Sequence, residues 1–352
     1  MKAISFSICI PNYNYGHYIG KTIQSVLDQS YQNFEIIVAD NASSDHSLEV
    51  VEAFKDQRIR VIRNHYNIGF APNLQRATMY ARNDFINLLS SDDLMNPTAL
   101  ETYAAILSER AEMGRDMVLI ADAELINARG EVIGHIRKSK HAHEMVSLVG
   151  AEDEVFSGLE ILKESLSNLR NFAPFLTVVY PRQLWQAVEG YNAVRSIGPD
   201  KFFNYKLLAQ DPEVIYVHSA LYQYRVHVSP NQQAQKINLK QQLDDYLYTL
   251  EYSDQFLAAL GLLREDLINA FLKRVCLKKG LTELVYGSYS QAFRMLMFAL
   301  ATYPAETVRM SRFYMLLGLL ACGPFSRGLA RFFYRGYHER ELRNVLGEGS
   351  LS

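Results

Sequence analysis

The spacing of apolar residues alternates between two patterns along the first 127 residues of the chain. Continuous or alternating apolar runs predict buried β-strands, and apolar residues three or four positions apart predict helices. The predicted strands are residues 4–10, 34–39, 58–63, 84–89 and 117–127. The predicted helices are residues 18–29, a helix through 48–54, residues 72–81 and a helix from Pro97. Strands that alternate with helices predict an α/β fold with a mostly parallel sheet covered on both faces.

The pattern is less regular after this part and becomes entirely helical near the middle of the chain. Residues 129–154 are polar and predict a loop or a hairpin excursion. The remaining predicted elements are helices at 156–168 and 181–188 and strands at 173–180 and 214–226. From residue 237 onward the leucines keep the 3.6-residue spacing of helices. We therefore predict an α/β domain at 1–234 and a helical region at 235–352, with the boundary near 234–238.

Composition and charge limit the classes of protein and of partner that fit this chain. The chain has 352 residues, of which 49% are hydrophobic and 21% are charged, enough for a folded domain and an extension. The net charge of -2 gives no overall attraction to nucleic acid. Residues 264–352 nevertheless contain 13 Lys and Arg against 7 Asp and Glu, so the C-terminal region is basic. This charge indicates either a membrane surface or anionic partner, or simply a solvated helical face.

The cysteines and the N-terminus concern the cellular compartment. Cys9, Cys276 and Cys322 are far apart and form no CxxC pair. Their spacing argues against a disulfide framework and a thiolate zinc site, and it agrees with a reducing cytoplasm. The N-terminal apolar run lacks the full hydrophobic region and the cleavage site of a signal peptide. We therefore expect a cytoplasmic protein, with or without peripheral contact to the inner face of the membrane.

Carboxylates follow the predicted strands in an order that suggests a binding crevice. Asp40 ends one strand, Asp92 and Asp93 follow another, and Asp200 comes later in the chain. Carboxylates at the carboxyl ends of adjacent parallel strands converge on one crevice, where they can bind a nucleotide, a divalent metal or both. This arrangement predicts an enzyme that acts on a nucleoside diphosphate. Asp45, which follows Asp40 closely, is interpreted as a helix cap rather than a ligand contact.

Four motifs stand out at the ends of predicted strands and the starts of predicted helices. They are residues 8–14 with 18–19, residues 40–45, residues 67–69 with Asn73, and residues 89–93 with Pro97. Together they resemble the motifs of family 2 glycosyltransferases, inverting enzymes that use nucleotide sugars and have the GT-A fold. The resemblance extends over about residues 4–230, and the combination of motifs makes it specific. It implies a GT-A Rossmann-like sheet, mostly parallel and flanked by helices. The nucleotide-binding half would be about 1–127, the acceptor-side half about 128–234, and the α-helical C-terminal extension would follow.

The resemblance also places residues in the donor site. It puts Asp40 at the uracil, the loop of Pro11, Asn12 and Tyr13 beside the base, and Asn67 within the same site. The chemistry of Asp40 agrees, because a carboxylate at the end of a strand can accept hydrogen bonds from a base N–H or a ribose hydroxyl.

Asp92 is the predicted metal ligand. A diphosphate leaving group develops negative charge, and Mg²⁺ or Mn²⁺ held by carboxylates can neutralise it. The family pattern is Asp-X-Asp, whereas this chain has Ser90-Ser91-Asp92. Ser90 can still bond ribose through its hydroxyl, and Ser91 belongs to the same donor site. The alternative is that this segment only makes a turn before the helix at Pro97.

Asp200 is the predicted general base. An inverting transfer needs a base that takes the proton of the acceptor hydroxyl as it attacks the anomeric carbon. Similar proteins have Glu before this Asp, whereas this chain has Pro199. The alternative role is a cap for the helix that follows. Residues 189–192 resemble the loop on the acceptor side, with its glycine turn.

A later motif at residues 224–229 also resembles the family. It suggests that Arg225 faces phosphate oxygens and that His227 is an additional metal ligand or a partner for the diphosphate. A structural role for His227 is equally open.

The C-terminal region contains a nearly continuous apolar run at residues 313–325, which is too short to span a bilayer. Arginines flank it on both sides, and aromatic residues follow it. Basic and aromatic residues around an apolar helix suit a membrane interface. A buried helix that closes the catalytic domain and a homodimer contact are the alternatives.

The sequence therefore predicts an inverting, metal-dependent glycosyltransferase. The donor would be a UDP-sugar or a dTDP-sugar, and the acceptor a hydroxyl of a saccharide or lipid-linked molecule in surface polysaccharide or glycolipid synthesis. Ser90 and Pro199 favour the alternative of a catalytically impaired protein that binds sugar nucleotides. An oxidoreductase is disfavoured, because no G-x-G-x-x-G follows the first strand and no P-loop is present.

Overall fold

The structure is a computed structural model that describes residues 3–110, 114–136, 154–169, 171–191, 198–226, 247, 250–273, 279–325 and 328–330. The chain divides into two compact units. The first consists of residues 1–161 and 171–227, and the second of residues 162–170 and 228–352. The predicted boundary at 234–238 lies outside the described residues and stays a prediction.

Among the described residues, one sheet of ten strands organises the first unit. The strands are β1 (Phe6–Asn12), β2 (Phe34–Asp40), β3 (Ile59–Arg63), β4 (Phe85–Leu88), β5 (Leu94–Met95), β6 (Met117–Ile126), β7 (Val132–Ile136), β8 (Glu154–Ser157), β9 (Val178–Pro181) and β10 (Glu213–Arg225). Their order is β3-β2-β1-β4-β9-β6-β10-β5, with β7 beside β6 and β8 beside β10. β3, β2, β1 and β4 are mutually parallel, and β9 runs antiparallel to both β4 and β6.

Seven helices among the described residues connect these strands. They are α1 (Gly16–Leu27), α2 (Ser47–Ala53), α3 (Phe70–Met79), α4 (Ala99–Glu109), α5 (Gly158–Asn168), α6 (Arg182–Ala187) and α7 (Pro199–Leu208). The apolar spacing of α1 explains its packing, because Ile19, Ile23 and Val26 form one buried face. β1 and β2 are buried along most of their lengths, as expected for strands covered on both faces.

Most predicted elements are present, with shifted ends. The strand predicted at 173–180 begins only at Val178, because Phe175–Thr177 forms a 3₁₀ turn after Pro174. The polar excursion begins as a hairpin, since β7 pairs antiparallel with β6. The two-residue strand β5 was not predicted, because it is shorter than any periodic signal.

The second unit is helical in its described part. Its helices after α7 are Asp254–Ala259, Arg264–Phe271, Lys279–Tyr286, Tyr289–Thr302, Pro304–Arg309 and Ser311–Ala321. Leu284, Leu296, Phe313 and Leu316 form part of its buried core. The apolar run at 313–325 therefore contributes one face to this core. Within the described ranges, every helix falls short of the length and apolar character that crossing a bilayer requires.

Candidate functional site

Asp40 lies at the carboxyl end of β2 and is fully buried. Its Oδ1 accepts a hydrogen bond from Asn12 Nδ2 at 2.8 Å and one from Ser43 Oγ at 2.5 Å. Its Oδ2 accepts from the backbone N–H of Ser43 at 3.0 Å. The carboxylate is therefore already bonded within the protein, and it holds the end of β1 against the loop that follows β2. The uracil of a nucleotide sugar could reach this carboxylate only beside the side chains of Asn12 and Ser43.

Asparagine side chains hold the adjacent loop, and sequence reasoning missed this network. Asn41 Nδ2 donates to Asn67 Oδ1 at 2.9 Å, and Asn41 Oδ1 accepts from Ile68 N and Asn64 Nδ2, both at 2.9 Å. Asn73 Nδ2 donates to the carbonyl of Ala39 at 3.0 Å. The Oδ1 of Asn67, predicted to lie in the donor site, is thus bonded to the loop itself. The clustering of asparagines at 41, 64, 67 and 73 was the available signal.

The end of β1 supplies the other predicted base-side residues. Asn12 is buried, and its Oδ1 lacks a hydrogen-bond partner among the described residues. Pro11 accepts a hydrogen bond from Ser91 Oγ through its carbonyl at 2.6 Å, whereas the ring of Tyr13 is 44% exposed. The backbone of this loop is therefore held at Pro11, and the loop presents one exposed aromatic side chain, Tyr13.

Asp45 behaves as the predicted helix cap. Its Oδ1 accepts from Ser47 N at 3.0 Å at the start of α2, and its Oδ2 accepts from Gly16 N at 2.9 Å at the start of α1. Partial burial opposes ionisation, but the hydrogen bonds from Ser47 and Gly16 outweigh it and lower the pKa of Asp45. The carboxylate joins the N-termini of two helices.

The turn after β4 presents two neighbouring acids in different environments. Asp92 is partly exposed, whereas Asp93 is 1% exposed. Asp93 Oδ1 accepts from the backbone N–H of Arg225 at 2.7 Å, and its Oδ2 lacks a hydrogen-bond partner among the described residues. Burial and the charge of Asp92 raise the pKa of Asp93 to about 7, against hydrogen bonds from Arg225 and Ser90. The sequence placed Asp93 beside Asp92 at the predicted crevice, but only Asp92 was assigned as a metal ligand.

Internal hydrogen bonds fix this turn. Thr22 Oγ1, on α1, donates to the carbonyls of Ser91 and Asp93, each at 2.9 Å. The hydroxyl of Ser91 is used by Pro11, so Ser91 acts here as a structural residue. Ser90 is partly exposed beside it. The turn therefore holds the backbone of Asp92 in place at the sheet edge.

Arg225 is hydrogen-bonded to backbone carbonyls of the acidic turn after β4 and of the segment that follows β6. It is 4% exposed, and its Nε donates to the carbonyl of Asp92 at 2.8 Å while Nη1 donates to the carbonyl of Asn127 at 2.7 Å. Its guanidinium also lies 5.0 Å from the ring centroid of Tyr18. A buried cation must be matched by acceptors, and backbone carbonyls supply them. Arg225 thus supports the acidic turn, and its contact with phosphate stays a prediction. His227 lies outside the described residues.

Asp200 is the second residue of α7 and is partly buried. Its Oδ2 accepts from Asn171 Nδ2 at 2.7 Å, and Asn171 Oδ1 in turn accepts from Asn204 Nδ2 at 2.8 Å. Burial raises the pKa of Asp200, although hydrogen bonds from the backbone of Lys201 and from Asn171 oppose the shift. A raised carboxyl pKa suits a general base, while its place in the first helical turn also agrees with a cap.

The glycine turn before α7 positions this acid. Gly190 has φ +61°, and a Cβ there would lie 2.5 Å from the ring of Trp185, so only glycine fits. Tyr191 then stacks on Phe203 of α7 with ring centroids 4.1 Å apart. The turn therefore anchors the helix that carries Asp200. Asn192 of this loop lies outside the described residues.

Tyr224 connects the acids from different elements. It immediately precedes Arg225 at the end of β10, next to the acidic turn. Burial, followed by the charges of Asp93, Asp92 and Asp200, raises the pKa of Tyr224. Because such repulsion falls off with distance, all three carboxylates lie within electrostatic range of this phenol. Burial and then the charge of Asp92 also raise the pKa of Tyr15. Sequence reasoning missed both tyrosines.

The oxygen atoms at the acidic turn are the available ligands for a divalent metal. Among the residues that the structure describes, no group of three or more His, Cys, Asp or Glu side chains could hold a metal ion. One partly exposed carboxylate, Asp92, and the unpartnered buried Oδ2 of Asp93 nevertheless lie at the same turn. Mg²⁺ typically uses one or two carboxylates together with substrate phosphates and water. The residues present fit a metal that arrives with a diphosphate.

Comparison with known proteins finds similarity in the part of the chain that carries β1 to β4 and the acidic turn. Residues 7–114 match the model of Glycosyl transferase family 2. GlyG, a glycosyltransferase of Streptococcus pneumoniae serotype 4, is 33% identical over 106 residues, which are 30% of this chain and 35% of GlyG. WfgD of Escherichia coli, a UDP-Glc:alpha-D-GlcNAc-diphosphoundecaprenol beta-1,3-glucosyltransferase, is 40% identical over 101 residues, 29% of this chain and 40% of WfgD. The matches therefore span well under half the length of these relatives.

The fold is also found in a solved structure. Crystalline S. aureus TarS 1-349 in complex with UDP-GlcNAc matches with a TM-score of 0.57 at 19% identity, over 97% of this chain and 92% of that chain. This likeness shows the fold, which is the GT-A fold with a helical C-terminal region. Together with the match of residues 7–114 to the family model, it confirms the resemblance drawn from the motifs.

Proposed function

We propose that the chain is an inverting glycosyltransferase that moves a sugar from a UDP-sugar to a hydroxyl of a saccharide or lipid-linked acceptor. The observation that carries this proposal is the turn after β4, where Asp92 is partly exposed and the buried Asp93 is held by the backbone of Arg225, at the carboxyl edge of the parallel strands. The charges of Asp93, Asp92 and Asp200 all help to raise the pKa of Tyr224, which is in line with a shared acidic site. A cluster of acids at this edge is suited to a diphosphate with its metal on one side and a proton acceptor on the other.

Asp200 would accept the proton of the attacking hydroxyl. Its carboxylate is oriented by Asn171, which is itself held by Asn204, so the proton acceptor has a fixed geometry. Its raised pKa brings its basicity closer to that needed near neutral pH. Asn171 and Asn204 are positioning residues in this proposal.

Asp92 would hold Mg²⁺ or Mn²⁺ together with the donor diphosphate, and the bound cation would supply charge neutralisation for the leaving group. The protein's own contribution is to keep the turn rigid. Thr22 and Arg225 hold its backbone carbonyls, so Asp92 is fixed relative to the end of β1. Ser90 occupies the position at which the family has an acid. A serine hydroxyl can donate and accept hydrogen bonds, so it could still contact the ribose.

Relatives support the substrate class. WfgD is named for glucosyl transfer from UDP-Glc to alpha-D-GlcNAc-diphosphoundecaprenol, and TarS has been crystallised with UDP-GlcNAc. TuaG of Bacillus subtilis is assigned putatively to teichuronic acid biosynthesis. We extend from these a role in surface polysaccharide or glycolipid synthesis, with a lipid-linked or saccharide acceptor.

A nucleotide-sugar panel tests the proposal. Purified protein with Mn²⁺ or Mg²⁺ is incubated with UDP-, dTDP- and GDP-sugars, and release of the nucleoside diphosphate and thermal stabilisation are measured. We expect one UDP-sugar to stabilise the protein and to be turned over slowly even without acceptor. Stabilisation without turnover, with acceptors supplied, would favour the impaired binding protein. The absence of both responses across the panel would contradict the proposal.

A further inference from the structure

The helical unit contains an open cavity that the proposed transfer reaction does not use. It has a volume of about 620 Å³ and lies within the unit formed by residues 162–170 and 228–352. Its lining includes the polar residues Asp266, Asn269, Lys273, Arg309, Ser311 and Arg312.

Two structural elements of this unit bring these side chains together. Asp266, Asn269 and Lys273 are spaced by three and four residues along the helix Arg264–Phe271 and its continuation, so they share one face. The opposite wall is the corner at which the helix Pro304–Arg309 ends and the helix Ser311–Ala321 begins.

The cavity has an excess of positive charge. Lys273 and Arg309 are exposed and Arg312 is partly exposed, against one acid, Asp266. Asp266 Oδ2 already accepts from Leu263 N at 2.7 Å, where it caps its own helix. In the part of the unit that the structure describes, none of the three cations has a salt bridge or a side-chain hydrogen bond. Cations that face one cavity without partners are suited to an anion.

The chemistry of the lining favours a phosphate group. Two guanidinium groups can each make paired hydrogen bonds to phosphate oxygens. The helix Ser311–Ala321 begins at the cavity, and no side chain caps its N-terminus. Its first backbone N–H groups and its dipole therefore add to the attraction for an anion.

Apolar side chains lie one turn farther along the same helix. Tyr314 and Met315 are 59% and 43% exposed, and they follow Ser311 by three and four residues, so they lie on its side of the helix. We propose that this cavity binds the phosphate or diphosphate group of an amphiphilic ligand, whose apolar part lies along Tyr314 and Met315. The proposal is independent of the transfer reaction, since it concerns binding to the helical unit.

Binding of diphosphates to the full-length chain tests the proposal. The measurement is calorimetric titration with pyrophosphate and with farnesyl diphosphate below its micellar concentration. It is made with EDTA and in an Asp92→Ala background, so that the acidic turn contributes no metal-assisted binding. We expect farnesyl diphosphate to bind about tenfold more tightly than pyrophosphate, because of its buried apolar chain.

Matched variants assign the site. Arg309→Gln and Arg312→Gln should each weaken both ligands by about tenfold, because each removes a charge-assisted contact to phosphate. Arg294→Gln removes an exposed arginine of the same unit that does not line the cavity, and it should leave both affinities unchanged. Tyr314→Ser with Met315→Ser should remove only the extra affinity for farnesyl diphosphate. Circular dichroism melting checks that each variant is folded.

Three results would overturn the proposal. The first is no binding of either diphosphate, and the second is equal weakening by Arg294→Gln and Arg312→Gln. The third is equal affinity for the two ligands, which would leave a soluble phosphate compound as the ligand and reject the amphiphile. Because the readout is binding and not transfer, these outcomes are separate from the outcome of the nucleotide-sugar panel.

Discussion

β2 and β4 are the two neighbours of β1 in the sheet, and acids follow or end both strands. These acids differ in burial and in hydrogen bonding. Asp40 at the end of β2 is fully buried, and both of its oxygens accept hydrogen bonds from Asn12 and Ser43. After β4, Asp92 is partly exposed, and the buried Asp93 keeps one oxygen without a partner among the described residues. At the end of β2 both carboxylate oxygens are used by hydrogen bonds within the protein. After β4 one carboxylate oxygen remains that a ligand could use.

The comparison shows that position at a strand end does not by itself assign chemistry. A carboxylate that is saturated within the protein contributes mainly to stability and to the shape of a loop. An acid that is held in place through its backbone, with its carboxylate at the surface, can exchange water for a ligand at lower cost. The following predictions test this division, from the largest expected effect to the smallest.

Asp92→Ala should lower sugar transfer by on the order of a thousandfold, because it removes the carboxylate proposed to hold the metal with the diphosphate. The measurement is nucleoside diphosphate release with the donor found in the panel, at several Mn²⁺ concentrations. The melting temperature should stay close to that of the unchanged protein, since Asp92 supports the turn through its backbone carbonyl.

Asp28→Asn is the matched control for this variant. Asp28 follows the C-terminal end of α1 and bonds only to the nearby Gln24 among the side chains described, so its loss should leave transfer unchanged. Near-normal activity of Asp92→Ala in Mg²⁺ or Mn²⁺ would show that the metal assignment is incorrect.

Asp200→Asn should lower turnover by roughly a hundredfold or more while donor affinity stays almost constant. The amide keeps the shape of the side chain but cannot accept the proton. Turnover and donor affinity are measured separately, by initial rates and by titration with the nucleoside diphosphate. Unchanged turnover together with a lower melting temperature would instead support the role of a helix cap.

Much of this arrangement could be predicted from the sequence, because continuous apolar runs locate the parallel strands and acids directly follow two of them. The role of Arg225 could not. Its guanidinium reaches the carbonyl of Asn127 only because β10 pairs with β6 in a register that places Arg225 opposite Ile126. Pairing across about a hundred positions has no local signal. The antiparallel direction of β9 could not be predicted either, because a short run of buried residues has the same pattern in a parallel and in an antiparallel strand.

The different environments of Asp92 and Asp93 could not be predicted either, because they also depend on long-range pairing. Two adjacent acids in a turn look equivalent in sequence, and only the backbone N–H of Arg225, from a distant strand, separates them. The asparagine network at the end of β2 was visible as composition, but its partners depend on how the loop after β3 folds back. Local pattern thus locates the site, and long-range pairing decides what each of its side chains does.

Asp40→Asn should lower the free energy of unfolding by about 3 kcal/mol, because one amide nitrogen would face the donors that now bond a carboxylate oxygen. Chemical denaturation measures this, with Asp92→Asn as the comparison at the other strand end. We expect the Asp92 variant to change stability by less than about 0.5 kcal/mol. Equal effects of the two variants would contradict the division between a complete and an open strand end.

Asp93 should make stability depend on pH, through its pKa of about 7 against a usual value of 3.8. Its carboxyl binds a proton more tightly in the folded chain than in the unfolded chain. The resulting stability is therefore complete below the unfolded pKa and is lost as the pH rises through about 7. Between about pH 5 and about pH 8 the loss should be on the order of 2 kcal/mol.

Asp93→Asn isolates this contribution, because the amide resembles the protonated acid and its oxygen can still accept from Arg225 N. The variant should lose less stability than the unchanged protein across the same pH range. Denaturation is measured with EDTA, since a bound cation would favour the ionised carboxylate. Asp200, whose pKa is also raised, should leave a smaller slope of the same sign in both proteins. Identical slopes would mean that Asp93 is ionised throughout, and that the open end of β4 carries two charges rather than one.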